Sequence, residues 1–143
     1  MKTLLLYCLV CLPLKHLQLT SLYGYRHHPL NGRLAFHSGI DLRAHRDTVF
    51  SVTDGTVAGV SYDHGFGIHI RIAHGPVETL YGHLSNVFVM SGDSVLAGQP
   101  IGITGSTGRV TGEHLHFAVR CGKQPLDPLE FIYQNILKNK NHE

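Results

Sequence analysis

From Val49 onward the chain is a succession of short apolar or alternating runs, each broken by Gly or Asp. That cadence leaves room for strands but not for helices of ordinary length. Residues 49–52 precede Asp54-Gly55, and residues 56–60 follow. Asp-Gly between two such runs is a hairpin signal. Residues 67–72 alternate with period two, as a half-buried strand does, and residues 79–81, 87–89, 99–103 and 114–119 continue the series. Strands this short and this close predict a mainly β fold, a small antiparallel barrel or sandwich. With 16 glycines in 143 residues and only 15% charged residues, the composition suits one compact domain with many tight turns. One helix is expected at the C-terminus. Asp127 can cap it, Pro128 suits its first position, and Leu129, Ile132, Tyr133, Ile136 and Leu137 fall on one face. Residues 138–143 are expected to form a flexible tail.

The N-terminus has the pattern of an export signal. Lys2 supplies a basic start, and residues 3–14 are almost continuously apolar. The run is shorter than the ~20 residues of a membrane-spanning helix and fits a signal-peptide core. Residues 1–20 are therefore expected to be a signal peptide cut between Leu17 and Leu22, with an uncleaved N-terminal anchor as the alternative. Export would place the protein in the periplasm, the cell envelope or the medium. Cys8 and Cys11 lie inside the run, so Cys121 would be the only thiol of the processed chain and could form no internal disulfide. A net charge of +2 gives no electrostatic case for binding nucleic acid.

Two motifs far apart carry the chemistry: His37-Ser38-Gly39-Ile40-Asp41 and His114-Leu115-His116, with Tyr81-Gly82-His83-Leu84 between them. Metal hydrolases commonly hold zinc with three protein groups and leave the fourth position to water, which then loses a proton near neutral pH. His, Asp and His form such a set. In a strand His114 and His116 project to one face, so both can address one metal, or one can bind it while the other serves the reaction. On a straight strand four residues span roughly 13 Å, too far for His37 and Asp41 to meet at one ion. That segment must bend, and Gly39 can supply the conformation. Taken singly, each motif is equally a polar strand stripe or a polar loop.

Together these segments closely resemble the lysostaphin-type (LytM-like) zinc metallopeptidases. The resemblance rests on Tyr25-Arg26-His27-His28-Pro29, residues 36–42, Tyr81-Gly82-His83-Leu84 and the stretch from Gly108 through His114-Leu115-His116-Phe117. It extends over about residues 21–130. Residues 54–57, 92–95 and 98–102, and the closing Asp127-Pro128, also match the family's barrel. The resemblance implies that His37, Asp41 and His116 are the zinc ligands, and that His83 and His114 are catalytic without binding metal. It implies a zinc-dependent endopeptidase that hydrolyses peptide cross-links of bacterial peptidoglycan, with residues 21–137 as the catalytic domain. The chain has no His-Glu-x-x-His, so no Glu base arrives with the ligands. Histidine, with an ordinary pKa near ~6.5, is a good substitute. Gly-Gly and D-Ala–diaminopimelate bonds both fit as substrates.

Ala118 and Glu113 depart from common family residues at positions that bear on packing or substrate contact. His28 and His74 read as structural or groove residues, and His16, His45, His64, His69 and His142 as surface residues. The Gly-rich residues 102–112 lack the ending of a phosphate loop and read as a turn beside the site. Arg109 there reads as a solvated loop residue, with contact to a substrate carboxylate as the alternative. With little beyond the catalytic region, targeting is expected to come from a partner, for example an envelope-spanning machine. The competing reading is a non-catalytic cell-wall-binding or amidase-activating module on the same fold. A lipoyl-type carrier would need a Lys at a hairpin tip, and Asp54-Gly55 has none.

Overall fold

The computed structural model describes residues 11–28 and 30–140. Among them are twelve strands and one helix: β1 (Leu19–Ser21), β2 (Gly24–His27), β3 (Leu34–His37), β4 (Gly39–Arg43), β5 (Thr48–Phe50), β6 (Gly55–Asp63), β7 (Gly67–His74), β8 (Val77–Val87), β9 (Ser94–Val95), β10 (Pro100–Thr104), β11 (His114–Cys121), β12 (Gln124–Leu126) and α1 (Pro128–Lys140). The large sheet is antiparallel in the order β1-β4-β11-β8-β7-β6-β9. β12 adds to β11, and β10 pairs with both β8 and β5. β2 and β3 form a separate hairpin. The expected mainly β architecture with one C-terminal helix is what forms.

Alternation along the central strands separates two faces. Ile40 and Leu42 of β4, Ile70 and Ile72 of β7, Tyr81 of β8, and Leu115 and Phe117 of β11 are fully buried in one core. Asp41, His114 and His116, one residue out of phase with their core neighbours, share the opposite face. A polar pin crosses the core: the Tyr81 hydroxyl accepts from Val52 N at 3.1 Å and from Thr79 Oγ1 at 3.2 Å. Burial pushes that phenol up to about 12.

Two expectations about elements need correction. Asp54-Gly55 does not close a hairpin between β5 and β6. β5 pairs with β10, and β6 pairs with β7 and β9. Asp54 is held instead from outside: its Oδ1 accepts from Ala97 N at 2.8 Å, and its carbonyl accepts from His74 Nδ1 at 2.7 Å. Tight two-residue turns lie instead at Gly75-Pro76, between β7 and β8, and at Gly122-Lys123, between β11 and β12, where Gly75 has φ 68° and Gly122 φ 60°. In α1 the expected cap forms, with Leu129 N donating to Asp127 Oδ1 at 3.0 Å. The helix turns Ile132 inward, but Tyr133 is 61% exposed, and Phe131 packs against the core in its stead. α1 also runs on to Lys140, through part of the expected tail.

Residues 11–21 are built into this architecture. Cys11 N donates to Val52 O at 2.6 Å, Phe50 N to Pro13 O at 2.9 Å, and Arg43 N to Gln18 O at 2.8 Å. Leu14 is 2% exposed and joins the core, with Leu12 and Leu17 packed beside it. β1 then pairs with β4. The expected boundary after residue 20 falls inside β1. Residues 1–10, Pro29 and residues 141–143, including the start of the expected signal peptide, the end of the tail and His142, lie outside the described residues.

Leu14→Ala removes a fully buried side chain, for which losses of about 2–5 kcal/mol are usual. We expect a clear drop in thermal midpoint, measured by circular dichroism. A chain starting at Leu22 should lose cooperative unfolding. A wild-type midpoint in that truncated chain would show the segment to be dispensable.

Candidate metal centre

The centre is assembled where β4 and β11 pair. Their register sets Asp41 directly opposite His116 and His114 opposite Arg43. Period-two alternation keeps Asp41, His114 and His116 on one face. His37 arrives from the end of β3, and the chain breaks only at Ser38 before β4 begins. The bend between His37 and Asp41 is therefore real, but the contribution of Gly39 is space rather than an unusual conformation. A Cβ on Gly39 would stand 2.8 Å from His116 Cε1 and 2.5 Å from the Phe117 carbonyl. The missing side chain lets the His116 ring lie against β4.

Three donor atoms converge. His37 Nε2 lies 3.3 Å from Asp41 Oδ1, His116 Nδ1 lies 3.1 Å from the same oxygen, and the two nitrogens are 3.3 Å apart. Three ligands bound tetrahedrally at zinc distances would be about 3.3–3.5 Å apart, so the triangle has the size such an ion requires. Tautomers point the same way. His37 Nδ1 donates to Leu22 O at 2.9 Å, which leaves a lone pair on Nε2 facing the others. His116 is 5% exposed, and its Nε2 is buried with no hydrogen-bond partner. Two imidazole nitrogens and a carboxylate crowded at these distances repel unless a cation or a proton lies among them. Protons are a poor solution here, because burial lowers the His116 pKa. Burial by itself would raise the Asp41 carboxyl, but the imidazoles of His114, His116 and His37 packed around it hold it well below the usual carboxylate range. The residues present fit a divalent metal ion. His37, Asp41 and His116 form a group of three potential ligands, with ligand atoms all within 4.8 Å of one another.

His83 and His114 stand beside this group with ring centroids 4.7 Å apart. Two residues of β8, Gly82 and His83, oppose the single His69 of β7 in a bulge. His83 there adopts φ 60°, an uncommon conformation for a residue with a side chain, and it turns the ring toward the metal group. Its Nδ1 donates to Thr107 O at 2.8 Å. His114 Nδ1 donates to Gly112 O at 2.9 Å, and its Nε2 is 3.4 Å from Asp41 Oδ1. Both rings thus present Nε2 to the site. Burial, followed by the charges of His114 and His116, pushes His83 down to about 4. For His114, burial is the largest single effect and lowers the pKa, but the hydrogen bonds to Asp41 and to the Gly112 carbonyl, together with the Asp41 charge, outweigh it, and the pKa rises. The Gly-rich turn is the support of His83. Thr107 Oγ1 donates to Leu84 O at 2.7 Å and accepts from Ile68 N at 3.0 Å, tying the loop to β7 and β8.

All five of these residues line one cavity of about 300 Å³, together with Arg26, His28, Phe36, Phe66 and Arg109. Phe66 stacks on the His116 ring at 5.2 Å with its plane tilted by 28°. No spacing in the sequence marked Phe66, which sits in the turn before β7. Among the remaining histidines, His69 is a correction. It is 6% exposed, packs against Phe66 and donates through Nδ1 to Gly67 O. His74 is structural, bonded to Asp54 O and Thr79 Oγ1. Glu113 serves local packing, since its carboxylate takes His45 Nδ1 at 2.9 Å and Arg46 N at 3.0 Å.

Residues 35–128 match the model of peptidase family M23. The chain belongs to that family. A curated relative, the DD-carboxypeptidase/endopeptidase Mpg of Neisseria meningitidis serogroup B, is 40% identical over 119 residues, covering 82% of this chain and 27% of its own length. The chain thus spans about a quarter of that relative. A zinc-containing peptidase from Vibrio cholerae superposes with a TM-score of 0.70 at 38% identity, over 77% of this chain and 35% of that one. The catalytic domain of lysostaphin from Staphylococcus simulans superposes with a TM-score of 0.75 at 30% identity, over 82% of this chain and 92% of that domain.

His37→Ala and Asp41→Ala should each abolish stoichiometric metal binding, measured by elemental analysis of purified protein. His83→Ala should keep its metal. A full equivalent retained by Asp41→Ala would contradict the assembly described above.

Proposed function

We propose that this chain is a zinc-dependent endopeptidase that hydrolyses peptide cross-links of bacterial peptidoglycan. The observation that carries the reading is the convergence of His37 Nε2, Asp41 Oδ1 and His116 Nδ1 beside two further imidazoles in one open cavity. In this reading His37, Asp41 and His116 hold the zinc. When bound, zinc supplies a Lewis acid for the scissile carbonyl and lowers the pKa of water toward neutrality. His83 and His114 handle protons. Each is fixed through Nδ1 to a backbone carbonyl, so Nε2 accepts a proton when the ring is neutral and gives one when it is charged. The peptide-bond chemistry is supported by membership of a peptidase family, and the peptidoglycan substrate by the names of relatives such as the peptidoglycan DD-endopeptidase ShyB of Vibrio cholerae, 38% identical over 73% of this chain and 25% of its own length. We place the protein outside the cytoplasm, where peptidoglycan is, with recognition of its working site left to a partner.

Purified sacculi incubated with the zinc-loaded protein should show cross-linked muropeptide dimers converting to monomers, with glycan strands whole, and chelator should stop the conversion. New reducing sugar ends, or stems released intact from the sugar, would refute the reading. His83→Ala and His114→Ala should lower turnover by about 10²–10⁴-fold while zinc content stays at one equivalent. Near-normal turnover in both variants would remove their assigned roles.

A further inference from the structure

The cavity around the metal group is unbalanced in charge. Among the described residues Asp41 is the only acid that lines it, against the side chains of Arg26 and Arg109. Asp41 is already engaged: its Oδ1 lies within 3.1–3.4 Å of three imidazole nitrogens, and its Oδ2 is 3.9 Å from Arg26 Nη2. The Arg26 Nε is buried without a hydrogen-bond partner. Arg109 is exposed and forms no ion pair among the described residues, and its main chain is held: its backbone N donates to Gly65 O at 3.3 Å, and two residues earlier Thr107 holds the His83 ring. Two guanidiniums from separate elements, the β2–β3 hairpin and the turn before β11, thus face one small cavity that has no free anion of its own. A bound divalent ion adds to the excess.

The missing anion belongs to the substrate. Arginine forks match carboxylates in shape as well as charge. Around a scissile peptide bond, the nearest anionic group a substrate can offer is a carboxylate on the carbon that bears the leaving nitrogen. A C-terminal D-alanine has it, and so does diaminopimelate acylated on its side-chain amine. The interior of a glycine bridge does not. We propose that Arg26 and Arg109 together hold this carboxylate, so that the site takes peptide bonds whose leaving amino acid carries a free carboxylate next to the leaving nitrogen. The inference deepens the hydrolase reading and rests on it. In the reaction the C–N bond breaks, water gives its oxygen to the acyl carbon and a proton to the leaving nitrogen, and the carboxylate stays unchanged.

Binding and cleavage are measured separately. Zinc-loaded His114→Ala protein is titrated calorimetrically with an N-acylated D-Ala-D-Ala peptide and with its C-terminal amide. The free acid should bind about tenfold or more tightly, the usual scale for a charge-assisted pair. Adding Arg109→Ala should bring the ratio close to one, and Arg109→Lys should restore part of it. Arg26→Lys keeps a cation near Asp41 and should also reduce the ratio, with zinc content measured alongside. Equal binding of acid and amide, or an unchanged ratio in Arg109→Ala, overturns the proposal. Cleavage of the amide as fast as the acid by the unsubstituted protein also overturns it, while leaving the peptidase reading intact. Selective binding of the acid by a protein that cleaves neither peptide nor sacculi supports the arginine pair and refutes the hydrolase reading.

Discussion

Everything at the centre depends on one register, the antiparallel pairing of β4 with β11 that sets Asp41 against His116. Side chains alternate along a strand, so this pairing does two tasks at once. It sends Ile40, Leu42, Leu115 and Phe117 into the core and brings Asp41, His114 and His116 together on the other face. A slip by one residue would expose the four apolar side chains and bury the polar ones. The free energy that fixes the metal group is therefore that of the hydrophobic core, at roughly 1.5–3 kcal/mol per large apolar side chain buried. The polar group need not stabilise the fold to be held accurately.

That arrangement tolerates local strain at the site. His83 keeps a positive φ in the middle of a long strand, and the His116 ring occupies the volume where any residue but glycine at position 39 would place its Cβ. Gly67 and Gly108, both with positive φ, touch so closely that a Cβ on either would meet the other's loop. This contact locks the Thr107 turn under His83. Each feature costs stability locally, and each sits beside a strand whose opposite face is fully packed.

The mainly β fold and the local part of the candidate site were legible in the sequence. His-x-x-x-Asp and His-x-His name residues whose relation is local on each strand, and their joining follows once the strands are known to be neighbours. What the sequence hid was non-local or a matter of space. Asp54-Gly55 has the local chemistry of a hairpin turn, but β5 finds its partner in β10, about fifty residues on in the chain. Residues 3–14 have the composition of an export signal, and nothing in that composition announces that the described part of the run bonds to Val52 and Phe50 through Cys11 and Pro13 and buries Leu14. His69 reads as a surface histidine because nothing nearby in the sequence announces Phe66 as its cover. Gly39 serves the bend through space rather than conformation, and a close approach by a ring from β11 leaves no trace in the residues around it.

The way the imidazoles are anchored gives the site its electrostatic character. His37, His83 and His114 each donate Nδ1–H to a backbone carbonyl, of Leu22, Thr107 and Gly112 respectively. A carboxylate in any of these places would fix the tautomer equally well, but it would add a negative charge and make the ring more basic. Carbonyl anchors fix the ring and its free nitrogen without that charge. They leave Asp41 as the only acid among the described residues lining the cavity, shared between the three imidazoles and Arg26, with no acid opposite Arg109. The resulting positive field suits both the stabilisation of a developing oxyanion and the capture of an anionic substrate, and both follow from holding histidines by the main chain.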